Sequence, residues 1–251
     1  MKVAILTGAS AGLGTEYFKN LIPRNDIDEI WLIARRADRL EEMAASCSKK
    51  CRVIPMDLTD KANLDTLKNI LETENPDVRI LINNAGFGKL GNVDELPFDE
   101  QMKIVELNAA ALTGVTAIAL KFMQAGAFVL NVCSIASFCP NPRMTAYSSS
   151  KAYVLSFSKS LRYELKNRKI NVCAACPGPM STEFLSVAGI EGHNSKTFDT
   201  LPYCDPRTVA SVSLKKAAAG KAVYTPGLFY KFYRVLAKIL PHNLLMPLSK
   251  T

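Results

Sequence analysis

Short apolar, β-branched runs alternate along the chain with longer segments whose apolar residues recur at helical spacing. Strands are predicted at Lys2–Thr7, Glu29–Ala34, Cys51–Pro55, Arg79–Asn83, Ala127–Cys133, Lys169–Cys176 and Ala222–Tyr224. Between them helices are predicted at Gly14–Ile22, Ala37–Cys47, Asp60–Glu74, Pro97–Asn108, Ala109–Gln124 and Thr145–Asn167. Another helix should begin at Asp205-Pro206, with Asp as N-cap and Pro at the first helical position, and run to about Ala219. Strand–helix alternation of this kind marks a parallel sheet covered on both faces. The expected fold class is therefore α/β, a doubly wound, mainly parallel seven-stranded sheet.

Two segments break the rhythm. Residues 177–204 carry Gly, Pro, Ser and Thr with little periodicity and read as a lid over a substrate site. Residues 225–251 form an amphipathic tail, in which Leu228, Phe232, Val235, Leu236 and Ile239 share one helical stripe and Lys231, Arg234 and Lys238 lie off it, with Pro241 as the stop. Packing of that stripe within the protein is the expected arrangement. The alternatives are contact with a membrane surface, with a second subunit, or with the substrate pocket.

At 251 residues, 48% hydrophobic and 22% charged, the chain has ordinary globular composition, which excludes disorder, collagen and a disulfide scaffold. With no linker or repeat, one domain spanning 1–251 is expected. The first apolar run is broken at once by Gly8, too early for a signal peptide, and no uninterrupted apolar stretch of about 18 residues is present. Seven cysteines without framework spacing fit free thiols, and a cytoplasmic location is the expectation. Cys173 and Cys176, three apart in a predicted strand, should face opposite sides and pack rather than share a metal. His193 and His242 have no partner at ligand spacing and are expected in exposed loops, so no metal site is expected. The net charge is +8, but the basic residues are scattered along the chain and read as not interleaved with aromatics, which argues against nucleic acid.

Thr7-Gly8-Ala9-Ser10-Ala11-Gly12-Leu13-Gly14 follows the first strand and opens the first helix. Glycines let the backbone turn tightly and approach a pyrophosphate, whose charge the free N–H groups of a helix start stabilise. This is a dinucleotide site of the Rossmann type, although its G-x-x-x-G-x-G spacing differs from the G-x-G-x-x-G fingerprint. After the second strand, Ala34 stands where an acidic residue would meet a ribose 2′-hydroxyl, and Arg35 and Arg36 follow. Guanidinium groups grip a 2′-phosphate, so NADP is expected over NAD.

Tyr147 and Lys151 are one turn apart on the long helix, so an ammonium can favour the phenolate and bring Tyr147 toward working range as a general acid or base. Ser134 ends the fifth strand at the carboxyl edge, where ligands bind in open α/β sheets, and Asn83-Asn84-Ala85-Gly86 closes the fourth strand at the same edge. Together with Asn108, these residues closely resemble the short-chain dehydrogenase/reductase family over Lys2 to Thr182. The resemblance implies a catalytic tetrad of Asn108, Ser134, Tyr147 and Lys151, with Lys151 also on the nicotinamide ribose and Asn108 holding a relay water. It implies that Gly8, Ser10, Gly12, Leu13 and Gly14 line the pyrophosphate turn, that Asp57 and Leu58 meet adenine, and that Asn84, Ala85 and Gly86 lie beside the adenosine ribose. Pro177, Gly178, Met180 and Thr182 would then position the carboxamide. Ala11 stands where NADP-using members often carry Arg or Lys, leaving the phosphate to Arg35 with Arg36 and Ser10.

The implied reaction is hydride transfer between nicotinamide and a substrate carbon, with carbonyl reduction by NADPH as the leading form. A hydroxysteroid dehydrogenase working oxidatively and a non-catalytic NADP-binding sensor are the alternatives; an epimerase or dehydratase fits the glycine spacing less well. Phe184, Leu185, Val187, Ile190, Phe198 and Leu201 make the expected lid apolar and hint at a lipid-like or ring substrate. The family resemblance implies a homodimer or homotetramer.

Overall fold

The computed structural model describes residues 1–249 and 251; Lys250, within the expected tail, lies outside the described residues. The strands are β1 (Lys2–Thr7), β2 (Glu29–Ala34), β3 (Lys50–Pro55), β4 (Asp77–Asn83), β5 (Phe128–Val132), β6 (Asn171–Ala175) and β7 (Val223–Tyr224). Among the described residues they form one sheet in the order β3-β2-β1-β4-β5-β6-β7, every neighbouring pair parallel. The order reverses between β1 and β4, which makes their carboxyl ends the crevice where ligands bind in such sheets.

Alternation along β1 sends Ala4 and Leu6 to one core and Val3 and Ile5 to the other, so both faces of the sheet must be covered. The first core is closed by α1 (Leu13–Leu21) and α9 (Pro206–Ala218), tied by a 2.9 Å hydrogen bond between the Tyr17 and Ser213 hydroxyls, with α2 (Ala37–Ala45) at its edge. Asp205 caps α9 as expected, accepting from the N–H groups of Arg207 and Thr208. The second core is closed by α3 (Lys61–Glu74), α5 (Leu112–Ala119) and the end of α6 (Thr145–Glu164). Asp60 caps α3 through the Ala62 N–H, and Asn75 ends it in a left-handed conformation.

A buried polar chain crosses the apolar second face. Asn83 Nδ2 donates to Thr116 Oγ1 and to Asn131 Oδ1, both at 2.8 Å, and Asn131 Nδ2 donates to Ser158 Oγ at 2.9 Å. It links β4, β5, α5 and α6 beneath the crevice.

Four features differ from the sequence expectation. The run from Pro97 to Gln124 is not uniformly α-helical: α4 (Phe98–Val105) passes through a π-turn, Glu106–Ala111, before α5. By length and composition Phe98–Phe122 is apolar enough to cross a membrane, but it carries Asp99, Glu100, Lys103 and Glu106 and packs on α3 and α6, so it is a core helix. Residues 177–204 contain two short helices, α7 (Glu183–Val187) and α8 (Lys196–Thr200), and Leu90 N–H donates to Ala188 O. Pro241 ends α10 (Leu228–Ile239), yet the chain re-enters a helix, α11 (His242–Ser249), so His242 opens a helix; His193 is in a turn, and both are exposed. Finally, the predicted apolar stripe of α10 faces outward. The helix docks through Tyr230, Tyr233 and Ala237, because small Ala237 permits close approach and the Tyr230 hydroxyl reaches Pro202 O at 2.6 Å.

All seven thiols are free, and Cys173 and Cys176 belong to cores on opposite faces of the sheet, as strand geometry requires. The Asn131→Ala variant should lose about 2–3 kcal/mol, or about 5–10 °C in Tm, by stripping partners from Asn83 and Ser158. A thermal melt within about 1 °C of the parent would show that the polar chain does not hold these elements together.

Candidate active site

The crevice is built where β1 and β4 end. Gly8 follows β1 with φ 63°, and a Cβ there would stand 2.8 Å from Ala85 Cα, so only glycine lets the two strand ends meet. Thr7 Oγ1 accepts from the Asn84 and Ala85 N–H groups at 3.0 and 3.1 Å, and Asn84 Nδ2 donates to Gly8 O at 2.9 Å. Gly14 supports the turn from behind, where a Cβ would strike Gly8 O. No side chain caps the start of α1; Gly14 N–H donates to Ala11 O at 3.0 Å, and the rest of the start presents backbone N–H groups that can meet an anion.

At the adenosine end, Arg36 sends Nε and Nη2 to Ser10 Oγ, each at 3.2 Å, and Arg35 lines the same wall. Burial would raise the Asp57 carboxyl, but hydrogen bonds from Thr59 N and Oγ1 and the charge of Arg35 hold it below the usual carboxylate range. Sequence reasoning missed a clasp here. Glu183 at the start of α7 takes Arg36 Nη1 at 2.9 Å and Arg39 Nη1 at 2.6 Å, joining residues 177–204 to α2. The pairing lies 147 and 144 positions away in sequence, so no local pattern announces it.

At the other end the π-turn swings Asn108 inward, fully buried. Its Nδ2 donates to Phe87 O at 2.9 Å and Ser150 Oγ at 3.0 Å, and its Oδ1 accepts from Phe87 N at 3.0 Å. A Cβ on Gly86 would meet Asn108 Oδ1 at 2.8 Å and Lys151 Nζ at 3.3 Å. Lys151 Nζ donates to Val132 O at 2.9 Å and lies 5.8 Å from the Tyr147 ring centroid. Ser134, past β5, accepts from Ala136 N–H, and its hydroxyl lies near enough to the Tyr147 phenol to favour the phenolate. Phe184 of α7 packs on Tyr147 at 5.4 Å between centroids.

The electrostatics depart from the sequence expectation. Burial pushes the Tyr147 phenol up to about 12, the Ser134 hydroxyl only partly offsetting it, and burial pushes the Lys151 ammonium down. The ammonium is spent on the Val132 carbonyl rather than aimed at the phenol oxygen, so desolvation wins.

These groups share one cavity of about 630 Å³. Its lining includes Gly8, Ser10, Gly12, Leu13, Arg35, Arg36, Asp57, Leu58, Asn84, Ala85, Gly86, Ser134, Tyr147, Lys151, Pro177, Gly178, Met180 and Thr182. Gly14 and Asn108 stand behind it, and of the apolar lid residues Ile190 alone does not line it. Tyr230 of α10, another residue the sequence did not flag, lies under Gly178, where a Cβ would collide with its ring. Among the described residues no group of three or more His, Cys, Asp or Glu is placed to hold a metal.

A doubly wound sheet with this turn at its switch point defines the dinucleotide-fold class. The chain belongs to the short chain dehydrogenase family, whose sequence pattern matches residues 2–189. A probable short-chain type dehydrogenase/reductase of Helicobacter pylori is 27% identical, with 96% of this chain and 94% of that one aligned. A probable NADP-dependent dehydrogenase of Haemophilus influenzae is 29% identical over 84% and 85% of the two chains. The solved structure of a Sphingobium yanoikuyae short-chain dehydrogenase in complex with NADPH superposes with TM-score 0.80 at 27% identity, covering 96% of each chain.

Two outcomes follow from this geometry. In the free protein, ultraviolet difference titration of wild type against Tyr147→Phe should show no tyrosinate from Tyr147 below about pH 10, because the raised pKa keeps the phenol protonated as pH climbs; a midpoint near pH 7–8 would mean that the ammonium overrides burial. Glu183→Gln removes two exposed ion pairs worth together about 1 kcal/mol, so hydrogen exchange in α7 should quicken about fivefold while β1–β6 are unchanged.

Proposed function

We propose that this chain is an NADP(H)-dependent oxidoreductase that interconverts a carbonyl and an alcohol on an apolar substrate. The observation that carries this reading is the placement of the Ser134 hydroxyl, the Tyr147 phenol and the Lys151 ammonium on one wall of a cavity whose far end holds an uncapped helix start and two arginines. The cradle fits a dinucleotide because Gly8, Gly12, Asn84, Ala85 and Gly86 line an open cavity beside a helix start that no side chain caps, and because Arg35 and Arg36 supply cations with no carboxylate at position 34. The Haemophilus relative's name and the NADPH held by the Sphingobium structure favour the same cofactor.

A bound nicotinamide dinucleotide supplies or accepts the hydride. Gly8, Gly12 and the first N–H groups of α1 would hold its pyrophosphate; Arg35 and Arg36, with Ser10, the 2′-phosphate; and Lys151 the nicotinamide ribose. Ser134 and Tyr147 would both contact the substrate oxygen, where fixed donors stabilise the negative charge that develops during reduction. The Tyr147 phenol donates its proton to that oxygen as the C=O bond becomes C–OH, and accepts it back in the oxidative direction. Its raised pKa in the free protein keeps the proton on the phenol at neutral pH, the form that the reductive direction consumes. Asn108, held on both sides by Phe87 and Ser150, keeps one Oδ1 lone pair for a relay water. Phe184, Leu185, Val187, Phe198 and Leu201 supply the apolar wall for the substrate.

A panel of ketones, aldehydes and alcohols assayed with NADPH or NADP+, and with the NAD forms alongside, should give turnover with the phosphorylated cofactor. Tyr147→Phe should lower kcat by about 10³-fold or more while NADPH binding stays measurable. Substantial residual turnover in that variant, or a clear preference for NADH, would overturn the assignment.

A further inference from the structure

We infer that α10 docks the protein onto an anionic lipid surface, a property independent of the reaction proposed above. Leu228, Phe232, Val235 and Ile239, spaced four, three and four residues apart, form one stripe along the helix and are 82, 64, 53 and 71% exposed. The opposite side, Tyr230, Tyr233 and Ala237, is the side that packs on the protein, so this outward stripe is not core. Exposed Leu244 on α11 adds to the apolar surface beyond α10. Lys231 and Lys238 are exposed along one edge of the stripe, and Arg234 sits between them with its guanidinium over the Phe138 ring at 6.0 Å.

The charge of the chain points to the occupant. Residues 1–205 hold 23 Lys and Arg against 23 Asp and Glu, whereas residues 206–251 hold 8 and none, so the whole +8 net charge lies in the segment that carries α10. An apolar stripe with a cationic flank suits an anionic bilayer, whose acyl boundary takes the one and whose headgroups take the other. A symmetric contact between two copies would instead bring two cationic flanks together with no carboxylate from either tail to balance them. The 12 residues of α10 reach about 18 Å, short of the roughly 30 Å of a bilayer core, so the helix lies in the interface rather than crossing it.

The test is flotation of the full chain with phosphatidylcholine vesicles, with and without about 30 mol % phosphatidylglycerol. Binding should be about tenfold or more stronger on the anionic vesicles and should weaken as salt rises. The paired substitutions Phe232→Ser with Ile239→Ser, and separately Lys231→Glu with Lys238→Glu, should each reduce it by about tenfold or more, with the sedimentation coefficient and far-ultraviolet circular dichroism unchanged. Equal binding to both vesicle types, or none to either, overturns the inference. So does a fall in oligomer mass in either variant, which would assign the face to a second copy of the chain.

Discussion

Close approach of backbone at the carboxyl edge of the sheet governs the rest of the molecule. The chain leaving β1 and the chain leaving β4 come so near that a single Cβ at Gly8 would press on the Ala85 backbone, and one at Gly86 on Asn108 and Lys151. The two bare positions act at different ends of one cavity: the first shapes the turn before α1, and the second lets Asn108 and Lys151 stand directly behind the wall that Tyr147 faces. Thr7 and Asn84 convert this proximity into a fixed geometry by hydrogen-bonding each loop to the other. The two ends of the cavity are thus registered to each other through β1 and β4.

Within that frame two opposing effects meet at Tyr147. Coulomb attraction from an ammonium favours the phenolate, and removal from water favours the phenol. The helical spacing of Tyr147 and Lys151 makes the first effect visible in sequence, but burial is a property of the packed site. Phe184 covers one side of the ring, and the Lys151 ammonium is engaged by the Val132 carbonyl, so the free protein keeps a protonated phenol beside Ser134. Burial therefore outweighs the charge of the neighbouring ammonium in setting the protonation of the free site.

The strands were legible because apolar β-branched runs with helical spacers admit few alternatives, and the glycine turn, Ser134, Tyr147 and Lys151 were legible because each sits at a fixed offset from a strand or a helical turn. What escaped the sequence has no local period. A π-turn is a single widened i→i+5 turn with no residue type of its own, so Glu106–Ala111 reads as ordinary helix. The Glu183 clasp joins segments far apart in the chain. For α10 the pattern reveals that the helix has sides, but not which side its neighbours fill; Tyr230 and Tyr233 supply an alternative docking face that an apolar stripe alone does not disclose.

The outward face of α10 and the cavity are mechanically joined. After α11 the chain returns to the loop at residues 140–143, where Ser249 Oγ donates to Pro140 O at 2.9 Å and Asn141 Nδ2 donates to Ser249 O at 3.1 Å. Arg143, held at φ 67°, donates both to Thr251 O at 2.8 Å and to Asn194 O at 3.3 Å, so one guanidinium bridges the tail and the segment over the cavity. Thr251 itself lines the cavity. Tyr230 adds a second joint, because its ring lies under Gly178 while its hydroxyl holds Pro202. The tail and the segment over the cavity are therefore anchored to the same loop, and the cavity lining they frame combines the apolar Phe184, Phe198 and Leu201 with charged Lys89, Glu100 and Lys103.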